Sequence, residues 1–156
     1  MKNRLRLYVD TSVFGGCFDD EFRADSNALI HLARTRKVEL VLGELVLFEI
    51  AKAPGSVRKL VESLASLEME QIPFSKDAGA LAEAYLKAGI LTRKSETDAG
   101  HVATATVTRA DAIVSWNFKH IVQLQKMKLY NQVNLSKGYG FLEIVSPREV
   151  TLNEKD

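Results

Sequence analysis

Residues 7–16 read LYVDTSVFGG. The run Leu5-Arg6-Leu7-Tyr8-Val9 stops on a carboxylate, Asp10. Two hydroxyls, Thr11 and Ser12, follow before Gly15-Gly16. A short apolar run of this kind reads as a buried strand. An acid just past such a strand has a use in one fold class: in open parallel α/β sheets, ligands bind beyond the carboxyl ends of the strands. The fold therefore turns on whether strands and helices alternate along the rest of the chain.

They do. Residues 20–36 carry Phe22, Ala28, Leu29, Leu32 and Ala33 at helical spacing. VELVL, 38–42, is a second strand, and 43–53 reads as a helix stopped before Pro54. Ser56 is placed to cap a helix with Val57, Leu60, Val61 and Leu64 on its apolar face. Residues 69–73 suit a strand, 75–88 a helix ending near Gly89, and 97–109 a helix that packs Val102, Ala103 and Ala105. DAIVSW, 111–116, reads as a buried strand; a short helix over 118–124 and a last strand, FLEIV at 141–145, follow. This alternation predicts an α/β fold, a central parallel β-sheet flanked by α-helices on both faces. No repeat, low-complexity tract or linker divides the chain, so residues 1–156 read as one domain.

Composition narrows the function classes. With 156 residues, 46% apolar and 26% charged, the chain is globular and large enough for a real core. A formal net charge of +1 excludes a nucleic-acid argument from bulk charge; any basic surface must be local. Cys17 is the single cysteine, so no internal disulfide forms and nothing demands an oxidising compartment. The basic start, Met1 to Arg4, leads into a stretch broken by Arg6 and ended by Asp10. That is too short for a signal peptide or a spanning helix, so the expected location is cytoplasmic, with no membrane partner.

Four side chains carry the chemistry. Asp10 lies past the first strand and Asn117 past AIVSW, at the same predicted sheet edge. Asp111 opens its strand and falls at the opposite edge, on the order of 17 Å from Trp116, which leaves it out of the site. Glu49, in LVLFEIAKA, shares a helix face with Leu45, Val46, Lys52 and Ala53. Asp98 falls in the first turn of a helix, with Ser95 or Thr97 as its cap. Each acid has an ordinary reading: a turn residue, a solvent-facing helix acid, a carboxylate at a helix N-terminus. Together they supply hard oxygen ligands from four segments, which suit Mg²⁺ or Mn²⁺ rather than zinc. Carboxylates clustered without a cation would raise one another's pKa.

These residues, in this order, resemble the PIN-domain nucleases, which include the VapC-like ribonuclease toxins of prokaryotic toxin–antitoxin pairs. VDTSV is similar to the family's first motif, LVLFEI to its glutamate helix, and TDAGHVATATVTRADAIVSWNF to the block with the third acid and the next strand. YNQVNLSKGYGFLEIVSPREV resembles the tail of a subgroup of small PIN proteins in which SWNFKHIV is usual. The resemblance spans nearly the whole chain. It implies a PIN-like fold, a pocket holding one or two Mg²⁺ or Mn²⁺ ions, and hydrolysis of a phosphodiester, usually in RNA. Asp10, Glu49 and Asp98 match the family's three main acids as catalytic and metal-binding residues. Asn117 stands where many relatives carry a fourth aspartate, a departure that lowers the site's negative charge. Ser12 corresponds to the polar residue that supports the first acid. RNA, an antitoxin protein and a second copy of the chain are the implied partners.

Other residues weigh less. His101, one turn after Asp98, is either a substrate contact or a packed core histidine. Arg93, Lys94, Lys119, Lys126 and Lys128 either hold RNA phosphates or are solvated cations. Trp116 suits base stacking or a buried role at a strand end. Cys17 has no histidine in motif spacing, and Gly15-Gly16 is too sparse for a phosphate loop. Two rival functions remain in view. Aspartyl phosphotransfer at Asp10 lacks the second aspartate of a DxDxT motif. A catalytically weak or inactive nucleic-acid-binding module is compatible with Asn117.

Overall fold

A computed structural model describes residues 4–152; residues 1–3 and 153–156, which the single-domain assignment includes, lie outside the described residues. Strand β1, Leu5–Val9, buries Leu7, Tyr8 and Val9 and pairs in parallel on both sides. Its neighbours are β2, Val38–Gly43, and β4, Ala112–Val114. Outside them lie β3, Glu70–Ile72, and β5, Glu143–Val145. The sheet has five strands in the order β3-β2-β1-β4-β5, all parallel.

Parallel neighbours need crossovers, and helices supply them. α1 (Thr11–Gly16) and α2 (Arg23–Arg34) follow β1; α3 (Glu44–Ile50) and α4 (Gly55–Ala65) follow β2. α5 (Lys76–Lys87) and α6 (Glu96–Val107) follow β3; α7 (Leu124–Ser136) follows β4; α8 (Pro147–Leu152) follows β5. The chain steps outward from β1 to β2 and β3, then crosses back to β4 and β5. Right-handed crossovers put the helices joining β1 to β3 and those joining β3 to β5 on opposite faces, while α8, after the last strand, packs back on α2. The connections leaving β1 and β4 diverge, so the carboxyl ends of those two central strands are the sheet's topological switch point. The core between sheet and helices includes a polar cluster. Asn134 of α7 accepts a short hydrogen bond from the Tyr85 hydroxyl and donates to Thr106 Oγ1 at 3.2 Å.

The predicted elements shift in four places. α2 starts at Arg23, not at residue 20, because Asp19 Oδ1 accepts the Glu21 N–H (2.8 Å) and holds a turn there. Pro54, not Ser56, occupies the cap position of α4, and Ser56 lies inside its first turn. The helix predicted over 118–124 is a turn. Asn117 Oδ1 accepts the N–H groups of Lys119 (3.2 Å) and His120 (2.9 Å), a side-chain competitor for helix hydrogen bonds. The helix begins instead at Leu124, where Gln123 accepts the Lys126 N–H at 2.8 Å. α1 and α8 are additional to the predicted elements.

Candidate active site

Asp10 continues the ladder one step past β1: its N–H donates to Val114 O at 3.2 Å. The carboxylate is 4% exposed and both oxygens are occupied. Ser12 donates to Oδ1 at 2.5 Å and Ser115 to Oδ2 at 2.7 Å. Each serine oxygen in turn accepts a backbone N–H from the exit of β4, Trp116 onto Ser12 and Asn117 onto Ser115, both at 2.9 Å. Asp10 is thus fixed by a chain of donors that joins the ends of β1 and β4. Burial pushes its carboxyl above the usual range; nearby His101 and the two serines pull it down, and Asp98 adds to the rise.

Asp98 lies in the first turn of α6 and is partly buried. Ser95 occupies the cap position without a side-chain hydrogen bond. Burial raises the Asp98 carboxyl as well; His101, His120 and a hydrogen bond from Asn117 lower it, and Glu49 raises it. The oxygen of Asn117 is spent on the turn at 119–120, so its amide nitrogen is the group that donates to Asp98.

Glu49, on α3, is held through one oxygen. Thr11 Oγ1 donates to Oε1 at 2.6 Å, and His101 Nε2 lies 2.7 Å from the same oxygen. Burial raises this carboxyl, but the hydrogen bonds from His101 and Thr11 outweigh it and leave it below the usual range. His101 is 2% exposed, and its Nδ1 meets the Tyr8 hydroxyl at 2.7 Å. His101 is therefore a buried partner of Glu49, not a group on the substrate surface. Tyr8 is a part of the site that sequence reasoning missed; its only signal is a hydroxyl on the strand two residues before Asp10.

The cations divide. Arg93 sits between Glu83 (2.6 Å) and Glu96 (3.1 Å), so two carboxylates already compensate its charge. Lys119 is exposed beside Asn117. Trp116 is stacked on Phe22 at 4.3 Å and donates to Ser26 Oγ at 2.7 Å, a packed role at the strand end. Asp111 lies at the opposite edge of the sheet, where its carboxylate accepts the Arg6 N–H at 2.7 Å. Cys17 is buried and unpaired.

The donor chemistry fits a hard divalent cation: burial raises the proton affinity of two carboxylates, Asp98 adding to the rise at Asp10 and Glu49 to that at Asp98, and a carboxamide adjoins Asp98. Among the described residues, no three His, Cys, Asp or Glu side chains are already grouped so as to hold a metal ion.

No family model and no curated protein sequence matches the chain. Solved structures do. One is VapBC2 from Rickettsia felis bound to a DNA fragment from their promoter: TM-score 0.57, 16% identity, 91% of this chain and 98% of that chain. FitAB bound to an IR36 DNA fragment matches at TM-score 0.56 and 14% identity, over 90% and 94%. FitAcB from Neisseria gonorrhoeae matches at 0.57 and 15%, over 90% and 97%. At these identities the likeness establishes the fold alone. That fold is the PIN-like α/β fold, a central parallel sheet flanked by helices. Among the described residues, no helix is long and apolar enough to cross a membrane.

Proposed function

We propose that the chain is a metal-dependent endoribonuclease of the PIN type and the toxin of a toxin–antitoxin pair. One observation carries the reading: burial holds the Asp10 and Asp98 carboxyls above their usual range, with Asp98 adding to the rise at Asp10 and Glu49 to that at Asp98, while His101, one turn after Asp98, bonds Glu49. A site that desolvates two like charges gains by taking up a cation. Asp10, Glu49 and Asp98 would hold one or two Mg²⁺ or Mn²⁺ ions. The bound ion supplies Lewis-acid polarisation of a phosphate oxygen and a more acidic water. The chain's own residues do the rest. Ser12 and Ser115 keep Asp10 in one orientation. Asn117 steadies Asp98 and, being an amide, orients ligands without taking a proton. Lys119, exposed beside Asn117, would meet RNA phosphates. The similar chains come from assemblies, VapBC2 and FitAB, solved on DNA. An antitoxin partner and a homodimer belong to the same reading here, with the cytoplasm as the place of action.

The test is a Mn²⁺ titration of wild type and Asp10→Asn, reading melting temperature and cleavage of a mixed RNA pool. At 100-fold excess over Kd, bound Mn²⁺ stabilises the wild type by ~2.7 kcal/mol and cleavage appears. Asp10→Asn shows neither effect. A folded wild type in which Mn²⁺ produces neither overturns the nuclease reading and leaves a non-catalytic nucleic-acid-binding module.

A further inference from the structure

Two side chains outside the acidic set are fully withdrawn from solvent yet wired to it. Tyr8 is 0% exposed on β1, two residues before Asp10, and His101 is 2% exposed on α6, three after Asp98. The Tyr8 hydroxyl lies 2.7 Å from His101 Nδ1, and His101 Nε2 lies 2.7 Å from Glu49 Oε1. Burial, with Asp10 and Glu49 nearby, keeps the Tyr8 phenol protonated. An ionised carboxylate only accepts, so Nε2 donates to Glu49, and Nδ1 is left to the Tyr8 hydroxyl, which can give or take the hydrogen. Thr11, next to Asp10, donates to the same oxygen of Glu49 at 2.6 Å. Neither hydrogen bond uses Oε2.

The far end of the chain of contacts is boxed in. A Cβ at Gly43, the cap residue of α3, would lie 2.6 Å from the Tyr8 hydroxyl oxygen. The phenol and the helix that carries Glu49 are therefore in direct contact. Glu49 itself is 37% exposed, and a free glutamate at that exposure samples several rotamers.

We propose that Tyr8 and His101 form a buried relay that positions Glu49: Tyr8 fixes the His101 ring, and His101 with Thr11 fixes one carboxylate oxygen, so Glu49 meets a divalent cation in a single orientation. The proposal rests on the nuclease reading above. Its logic is economical in chain: the segments that carry Asp10 and Asp98 also hold Glu49, so all three acids share one frame. Tyr8 and His101 are positioning residues; neither touches substrate or cation.

The experiment is calorimetric titration with Mn²⁺ alone, beside RNA-cleavage kinetics, on wild type, Tyr8→Phe, His101→Ala, His101→Gln and Thr11→Val. Partners of metal-ligating side chains are worth ~10–100-fold in metal affinity or activity. Tyr8→Phe and His101→Ala are expected to weaken Mn²⁺ by that factor and to lower kcat with KM for RNA unchanged. His101→Gln, whose amide reaches Glu49, recovers most of the loss. Thr11→Val lies outside the core and keeps the test open if a core variant fails to fold; it weakens Mn²⁺ in the same direction. Folded variants with wild-type Mn²⁺ affinity and kcat overturn the relay while leaving the nuclease reading intact. A wild type that takes up no Mn²⁺ overturns both.

Discussion

Replacing Gly43 by alanine tests the packing that supports the site. Gly43 ends β2 and caps α3 with φ −79°, an ordinary backbone angle, so the substitution acts by contact alone. The new Cβ would stand 2.6 Å from Tyr8 Oη and 2.7 Å from its Cε2. The ring is fully buried and cannot swing aside. Overpacking of this kind costs ~1–3 kcal/mol. A displaced hydroxyl also leaves His101 Nδ1 buried without its partner, another ~1–3 kcal/mol. The reduced freedom of the unfolded chain returns only ~0.4–1 kcal/mol. The expected net loss is about 2–5 kcal/mol, or roughly 4–20 °C in melting temperature for a chain of this size. The same change at Gly15, inside α1 with nothing within 4 Å of the new Cβ, provides the control. There alanine should gain up to ~1 kcal/mol in helix propensity. Thermal melts by circular dichroism compare the two. A Gly43→Ala protein that melts at or above wild type would refute the packing argument.

Two further outcomes follow from buried polar groups. Asp98→Asn should raise the melting temperature of the metal-free protein at pH 7. Burial chiefly, with Glu49 adding, lifts this carboxyl above the usual carboxylate range, so the folded chain binds the proton more tightly than the unfolded one. That contribution favours folding in acid and is lost as pH rises through the lifted pKa. The gain should shrink as pH falls below the usual carboxylate range, where the folded and unfolded chains both hold the proton. Melts between pH 3 and 8 that show equal stability throughout would count against it. Asn134→Ala should cost ~1–3 kcal/mol in urea denaturation, because the Tyr85 hydroxyl loses its short-range acceptor inside the core.

The central sheet was legible because β1 and β2 are apolar runs bounded by polar residues, and strand reading needs little more. α7 was not, because the residues it buries include Asn131 and Asn134, which form no apolar stripe. Its start is set by a glutamine side chain, and an asparagine turn displaces it from 118. At the site, Asp10, Asp98 and Asn117 followed from strand ends and a helix start. Ser115 did not: it reads as a strand residue within DAIVSW, but the strand ends at Val114 and frees its hydroxyl for Asp10. His101 was visible as a histidine near Asp98, yet its burial was not. Its partner Tyr8 lies 93 residues earlier, a separation that no local pattern spans.

The chain has one tryptophan, and the hydrogen bonds around Asp10 give it an unintended use. The Trp116 amide reaches Ser12, Ser12 reaches Asp10, and the indole is pinned between Phe22 and Ser26. Its ultraviolet emission is therefore an optical gauge wired to the first carboxylate, free of background from any other indole.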